Sequence, residues 1–234
     1  MFSQKQQGVY DLLKGIESGD PDSVKVVNEA KYIQHNPQTR EGGVGLAELF
    51  AELAKTNPKV EIVRLFEDGD YVFGHTIYDF SSVRVGFEVF RYEGDQIVEH
   101  WDNIQSLAGD MVAGSTKVTD LDLTEQNRDL IAEFSHKTMI LDLGQVEDYL
   151  GFNYREHSSF TDIHTKAKDL EYTVNHRLLA NGNFVLAVNE GYDNGVHSSF
   201  YDLFRIEAGK IVEHWDTTEK IPPQDTWLNQ NGKF

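Results

Sequence analysis

The string His100-Trp101-Asp102 sets an imidazole and a carboxylate two residues apart, and His214-Trp215-Asp216 repeats the arrangement further along the chain. In an extended strand alternate side chains share a face, so His100 and Asp102 point one way and Trp101 the other. Their backbones then lie about 7 Å apart, a spacing better suited to gripping a common ligand than each other. A carboxylate that faces an apolar wall loses hydration and becomes a stronger base. Asp102 is therefore the candidate proton acceptor, with His100 on the same face. The same letters also suit a strand end that faces water or ties down a loop. Repetition does not separate the two readings, because duplicated structural residues look like duplicated catalytic ones.

Tyr32, His35 and Asn36 precede Pro37. A tyrosine and a histidine three residues apart share one face of a terminal helical turn, where a phenol and an imidazole could polarise a carbonyl. A capping turn satisfied by Asn36 above a core tyrosine is the other reading. His75 and Tyr78 sit in a strand-like run, where a histidine is either a group that titrates near neutrality or a packing residue. The candidate set is thus Asp102, His100 and His35 for catalysis, with Tyr32, His75, Tyr78 and Trp101 for substrate contact. Tyr154, His157, His214 and Asp216 are the equivalents in the second half. Three histidines and Asp102 are donor types that suit zinc or iron, but no H-E-x-x-H or comparable spacing accompanies them, and neither metal nor organic cofactor is expected. Gly42-Gly43-Val44-Gly45 lacks the Lys-Ser or Lys-Thr of a phosphate loop, and a Gly-x-Ser-x-Gly elbow is missing.

These residues fall inside a duplication. Phe90 to Asp102 reads FRYEGDQIVEHWD and Phe204 to Asp216 reads FRIEAGKIVEHWD, matching at nine of thirteen positions with an offset of 114 residues. Arg64 to Tyr71 parallels Arg177 to Phe184, and Tyr32 and His35 parallel Tyr154 and His157. The period is that of a whole domain, beyond any solenoid repeat. The second copy is shorter between its blocks, and the missing residues correspond to the helix-bearing stretch Gly42 to Pro58.

Each copy reads as helices followed by strands. Val9, Leu12, Leu13 and Ile16 recur at helical spacing, and Asp20 before Pro21 marks the cap and first turn of a second helix. Leu46, Leu49, Phe50 and Leu53 form a third apolar face, ended by Asn57 and Pro58. Then come four β-rich runs, 60–66, 71–80, 83–92 and 96–105, punctuated by Asp68-Gly69-Asp70 and Glu93-Gly94-Asp95. Thr124 is the expected N-cap of a helix carrying Leu130, Phe134 and Leu141. The polar stretch 106–123 reads as a linker, which places copy one at 1–113 and copy two at 114–234. Pro222, Pro223, Trp227 and Phe234 make the last segment too aromatic for disorder, and it is expected to fold over the other copy. Helices laid on an antiparallel meander define an α+β fold.

The whole-chain totals bound the partners. The 39 acidic and 21 basic side chains give a net charge of −18, which repels nucleic-acid phosphates and anionic membranes. Cysteine is absent, so disulfides and thiolate chemistry are excluded. The start Met-Phe-Ser-Gln-Lys-Gln-Gln has no apolar signal core and no run approaches the roughly 18 apolar residues of a membrane span; a cytoplasmic location is the expectation.

The segments Tyr32-Ile33-Gln34-His35-Asn36-Pro37, Tyr71-Val72-Phe73-Gly74-His75 and Ile97 to Gln105, with the tail Ile221 to Phe234, resemble SnoaL-like polyketide cyclases of the nuclear transport factor 2-like superfamily. The resemblance spans most of both copies. It implies two tandem cone-shaped domains, each with N-terminal helices on a curved, mostly antiparallel sheet. Sheet-to-sheet pairing in that family implies an internal pseudo-dimer and leaves a homo-oligomer open. It also implies a metal-free, coenzyme-free reaction in which a pocket aspartate, here Asp102, removes an acidic proton beside a carbonyl of a small organic ligand, as in aldol-type cyclisation or isomerisation. His35, His75, His100 and Tyr32 would then orient the substrate and stabilise the enolate. The superfamily also contains proteins that only bind ligands or partners, and that alternative stays open. Copy two has Ser158-Ser159 for Asn36-Pro37 and Val188 or Asn189 for His75, so copy one is expected to hold the better site.

Overall fold

The computed structural model describes residues 2–141, 145–158, 163 and 170–234. The chain is α+β and carries two five-stranded sheets. It divides into two compact units, Met1–Leu107 with Pro222–Phe234, and Ala108–Ile221.

In the first unit helix α1 (Gln4–Ser18) opens with a capping box in which the Ser3 hydroxyl accepts from the Gln6 amide, and it closes on Gly19 at φ 65°. Its apolar stripe, Val9, Leu12, Leu13 and Ile16, is buried in the core, each side chain contributing roughly 1.5–3 kcal/mol by leaving water. The expected second helix is a short 3-10 stretch, Pro21–Val26, with Asp20 capping the Asp22 amide at 2.9 Å. The β-branched Val24, Val26 and Val27 disfavour a longer helix there. Strand β1 (Ile33–Gln34) and helix α2 (Gly42–Ala54) follow, then the meander β2 (Lys59–Asp68), β3 (Tyr71–Asp79), β4 (Val83–Glu93) and β5 (Gln96–Ser106). The sheet order is β1-β5-β4-β3-β2, with β1 parallel to β5 and the other pairs antiparallel. Gly69 and Gly94, at φ 60°, turn the two tightest hairpins. The four strands follow the four expected runs to within two residues at each end.

The second unit repeats this order. Helix α3 (Thr124–Phe134) leads to β6 (Leu150–Glu156), β7 (Leu170–Asn181), β8 (Phe184–Asp193), β9 (Val196–Glu207) and β10 (Lys210–Lys220), arranged β6-β10-β9-β8-β7. Thr124 is the first helical residue and not the cap. Its hydroxyl donates to the Leu121 carbonyl at 2.8 Å and accepts from the Gly182 amide at 2.9 Å, which ties α3 to the β7–β8 turn. Most of the stretch between His157 and Leu170, where the second copy was expected to lack a helix, lies outside the described residues, as does Ser159.

The unit boundary falls earlier than residue 113, and the tail belongs with the first unit. Backbone groups of extended segments need partners, and each connecting segment finds them. Thr119 and Asn183 exchange two bonds of 2.9 Å, and the Trp215 indole donates to the Ala113 carbonyl at 3.2 Å, so residues 108–119 pack with the second unit. The last segment bonds instead along residues 34–41 of the first unit, as the expectation for the tail required.

Candidate functional site

The site is built on β4 and β5. Their register sets Glu88 opposite Asp102 and Phe90 opposite His100, and directly opposed residues of an antiparallel pair share a face. Glu88, Phe90, His100 and Asp102 consequently share the side of the sheet covered by α1 and α2. A cavity of about 80 Å3 lies there. Leu12, Ile16, Leu49, Phe50 and Ile104 are among its apolar walls, and Tyr32, Gln34, Asn36, Tyr78, Glu88, His100 and Asp102 form its polar end.

The polar groups are joined. His100 Nε2 lies 2.7 Å from Glu88 Oε2, and the Tyr78 hydroxyl donates to Glu88 Oε1 at 2.7 Å. His100 Nδ1 lies 3.0 Å from Gln34 Oε1, which also accepts from the Asn36 amide at 2.9 Å. An amide oxygen can only accept, so these contacts assign the His100 Nδ1 proton and leave its Nε2 to share a proton with Glu88. Burial raises the Glu88 pKa and outweighs the opposing pull of His100. Asp102 Oδ2 accepts from Asn36 Nδ2 at 2.7 Å, and Oδ1 lies 3.4 Å from Lys233 Nζ. Gln34 Nε2 donates to the Tyr32 hydroxyl at 3.2 Å. Burial, then the charges of Asp102 and Glu88, push the Tyr32 pKa well up, so it stays a phenol able to donate into the cavity. Tyr78 is held up in the same way by burial and by Glu88.

The expected candidates divide between the two faces of the sheet. Tyr32, Tyr78, His100 and Asp102 line the cavity; His35, His75 and Trp101 do not. Tyr32 to His35 is extended along β5 instead of helical, so three-residue spacing puts the tyrosine and the histidine on opposite sides. His35 stacks on Trp101 with ring centres 4.7 Å apart, its Nδ1 is 3.0 Å from the Gly232 carbonyl and its Nε2 is 3.0 Å from Glu99, which also takes Arg91 Nε at 2.6 Å. His75 is fully buried beside Phe87, with Nδ1 2.9 Å from Arg64. Burial, then Arg64, hold its pKa well below the usual histidine value, so it is a neutral packing residue.

The second unit copies both arrangements with one decisive change. His157 stacks on Trp215 at 4.7 Å and contacts Glu213 at 3.0 Å, which pairs with Arg205. This Trp–His–Glu–Arg assembly, present twice, accounts for Arg, Glu and Trp of the repeated string as structural residues. On the other face Asp202 stands where Glu88 does, 3.1 Å from His214 Nε2, but Glu156 replaces Gln34 and sits 2.9 Å from His214 Nδ1. Burial alone would depress the His214 pKa; Glu156 and Asp202 together overcome it and hold it well above the usual value. His214 is a fixed imidazolium between two carboxylates. Tyr154 donates to Glu156 at 2.5 Å, and Tyr172, from β7, takes the place of Tyr78 by donating to Asp202 at 3.2 Å. Val188 occupies the His75 position, opposite Tyr201 as His75 is opposite Phe87. The cavity under α3 is about 20 Å3 and is lined by neither His214 nor Asp216.

Glu88 and Asp202 are the functional candidates that sequence reasoning passed over. Each is an acid set two residues before a buried phenylalanine in a strand, but counting back from the turn after β4 would set Glu88 against Trp101; a register shift between Arg91 and Tyr92 brings it opposite Asp102 instead.

Ligand atoms of Glu88, His100 and Asp102 lie within 4.8 Å of one another, compact enough for a cation. Their donors are already engaged by Tyr78, Gln34 and Asn36 and by each other, and the Lys233 ammonium stands beside Asp102, so the donor set fits a metal poorly.

The sequence matches no family profile and no curated protein. Among solved structures it is similar to TsrD from Streptomyces laurentii, with a TM-score of 0.40 and 19% identity over 44% of this chain and 88% of that one. An NTF2-like protein of unknown function from Cytophaga hutchinsonii gives 0.38 and 14% over 45% and 92%. IdmH from Streptomyces antibioticus, a proposed polyketide cyclase, gives 0.39 and 15% over 44% and 93%. Each spans the length of about one unit, and at this level the likeness bears on neither activity nor ligand.

Proposed function

We propose that the chain is a tandem of two SnoaL-like units and that the first is a cofactor-independent acid–base catalyst acting on a small neutral carbonyl compound. The observation that carries this reading is a buried carboxylate, Asp102, on the wall of an apolar cavity beside a separate Glu88–His100 pair whose tautomer is fixed by Gln34. Asp102 takes a proton from the carbon next to the carbonyl. The Tyr32 phenol donates to the oxygen that becomes the enolate, and the Glu88–His100 pair returns a proton in the later step. Two acids in the cavity disfavour anionic substrates. The second unit acts as a scaffold, because an imidazolium clamped between two carboxylates holds both of its protons near neutrality and neither His214 nor Asp216 lines the cavity under α3.

Exchange of the α-protons of methyl acetoacetate with D2O, followed by proton NMR and corrected for buffer, tests the reading. Wild type is expected to accelerate exchange, Asp102→Asn to lose roughly 100-fold or more of that acceleration, and Asp216→Asn to retain it. Equal loss from Asp216→Asn alone would place the working site in the second unit. Ligand-induced shifts without acceleration in wild type would replace catalysis by simple small-molecule binding.

A further inference from the structure

Lys233 is the penultimate residue of the sequence, and its side chain is only 2% exposed. Lysine is almost never buried to this degree unless paired, and its Nζ lies 3.4 Å from Asp102 Oδ1. The segment that carries it there is fastened to the strap of chain just after β1. The Leu228 amide donates to the Pro37 carbonyl at 2.8 Å, Asn229 Nδ2 to the carbonyls of Asn36 at 2.7 Å and Thr39 at 2.9 Å, and Asn231 Nδ2 to the Gln34 carbonyl at 3.0 Å. The Gly232 carbonyl takes the His35 contact at 3.0 Å. Two of these carbonyls belong to Asn36 and Gln34, whose side chains orient Asp102 and His100.

The geometry points to Lys233 as the positioning residue of the first site: the tail Pro222–Phe234 brings an ammonium to the carboxylate oxygen that Asn36 does not hold, giving Asp102 its counter-charge and its aim into the cavity. The inference rests on the base role of Asp102 and adds that the site is complete only with the tail in place. The titratable groups facing Asp102 among the described residues are Tyr32 before β1, Tyr78 of β3, Glu88 of β4, His100 of β5 and Lys233 of the tail. His100 is engaged by Glu88. Without the lysine, Asp102 would keep the bond from Asn36 but lose the cation beside its other oxygen, and a carboxylate deprived of a neighbouring cation takes up a proton more readily.

The test uses the full chain as wild type, Lys233→Met, Asp102→Asn and the double variant. In thermal unfolding Lys233→Met is expected to lower Tm by roughly 5 °C or more, because one partner of a buried pair is left alone. The double variant should recover most of that loss, a coupling that only a direct pair produces; additive losses would overturn the proposal. With methyl acetoacetate as probe, Lys233→Met should slow α-proton exchange about tenfold or more and move the acid limb of the pH–rate profile to higher pH, while Lys233→Arg restores part of both. An unchanged rate and profile would overturn the positioning role. If wild type fails to exchange the probe, the base reading falls, while the thermal cycle still decides the pairing. Should Lys233→Met not fold, Lys233→Gln replaces it in every arm.

Discussion

At the scale of single residues, one pair of positions sets the two HWD histidines apart. Gln34 gives His100 a neutral acceptor, and Glu156 gives His214 a second negative charge. The histidine in the repeated HWD string therefore shares a proton with an acid in one unit and is held as a cation near neutrality in the other. His214→Gln is expected to strand Glu156 and Asp202 without their cation, costing about 3–5 kcal/mol of stability. The sign with pH follows from a folded pKa above the unfolded value: the His214 contribution is fully present below about pH 6.5 and is lost as pH rises through the folded value. Denaturant titrations of wild type and variant should therefore converge in alkaline buffer, and a gap that widens there would refute the imidazolium assignment.

At the scale of elements, the strand register decides what meets what. The Tyr78 hydroxyl reaches Glu88 because Gly86, between them on β4, has no side chain. A Cβ there would stand 2.6 Å from Tyr78 Cε2, 2.7 Å from Thr76 Oγ1 and 2.9 Å from Glu88 Oε1. Gly86→Ala is expected to cost about 1–3 kcal/mol by overpacking and to break the Tyr78–Glu88 bond. The check is a lowered denaturation midpoint at unchanged m-value, together with slower exchange of the keto-ester probe. The same dependence on register explains what reading the residues in order could not supply. Strand alternation separated His100 and Asp102 from Trp101 correctly, since that needs only a period of two. Assigning Tyr32 and His35 to one helical face failed, because parallel pairing with β5 keeps that segment extended. Glu88 escaped notice because its relevance comes from the residue across the hairpin, not from its neighbours in sequence.

At the scale of the whole molecule, acid should weaken the two units unequally. His75 in the first unit has a folded pKa well below the unfolded value, so its neutral burial favours folding above about pH 6.5, and that benefit is lost as pH falls towards the folded value. His214 keeps its contribution over the same interval. Between pH 8 and pH 5.5, hydrogen exchange corrected for intrinsic rates should show β3 and β4 losing protection relative to β8 and β9; the reverse order would count against the neutral state of His75. By itself the sequence determined the repeated HWD-bearing string, the α+β class, the four strands of the first unit's meander and the placing of His100 with Asp102 on one face. All of these follow from local periodicity, turn chemistry and self-similarity. Only the tertiary structure decided that Glu88 joins them, that His35, His75 and Trp101 lie on the opposite face, and that Lys233 arrives from the far end of the chain. The tail meets residues more than a hundred positions away through amide and backbone hydrogen bonds and one buried ion pair, and no local pattern records those partners.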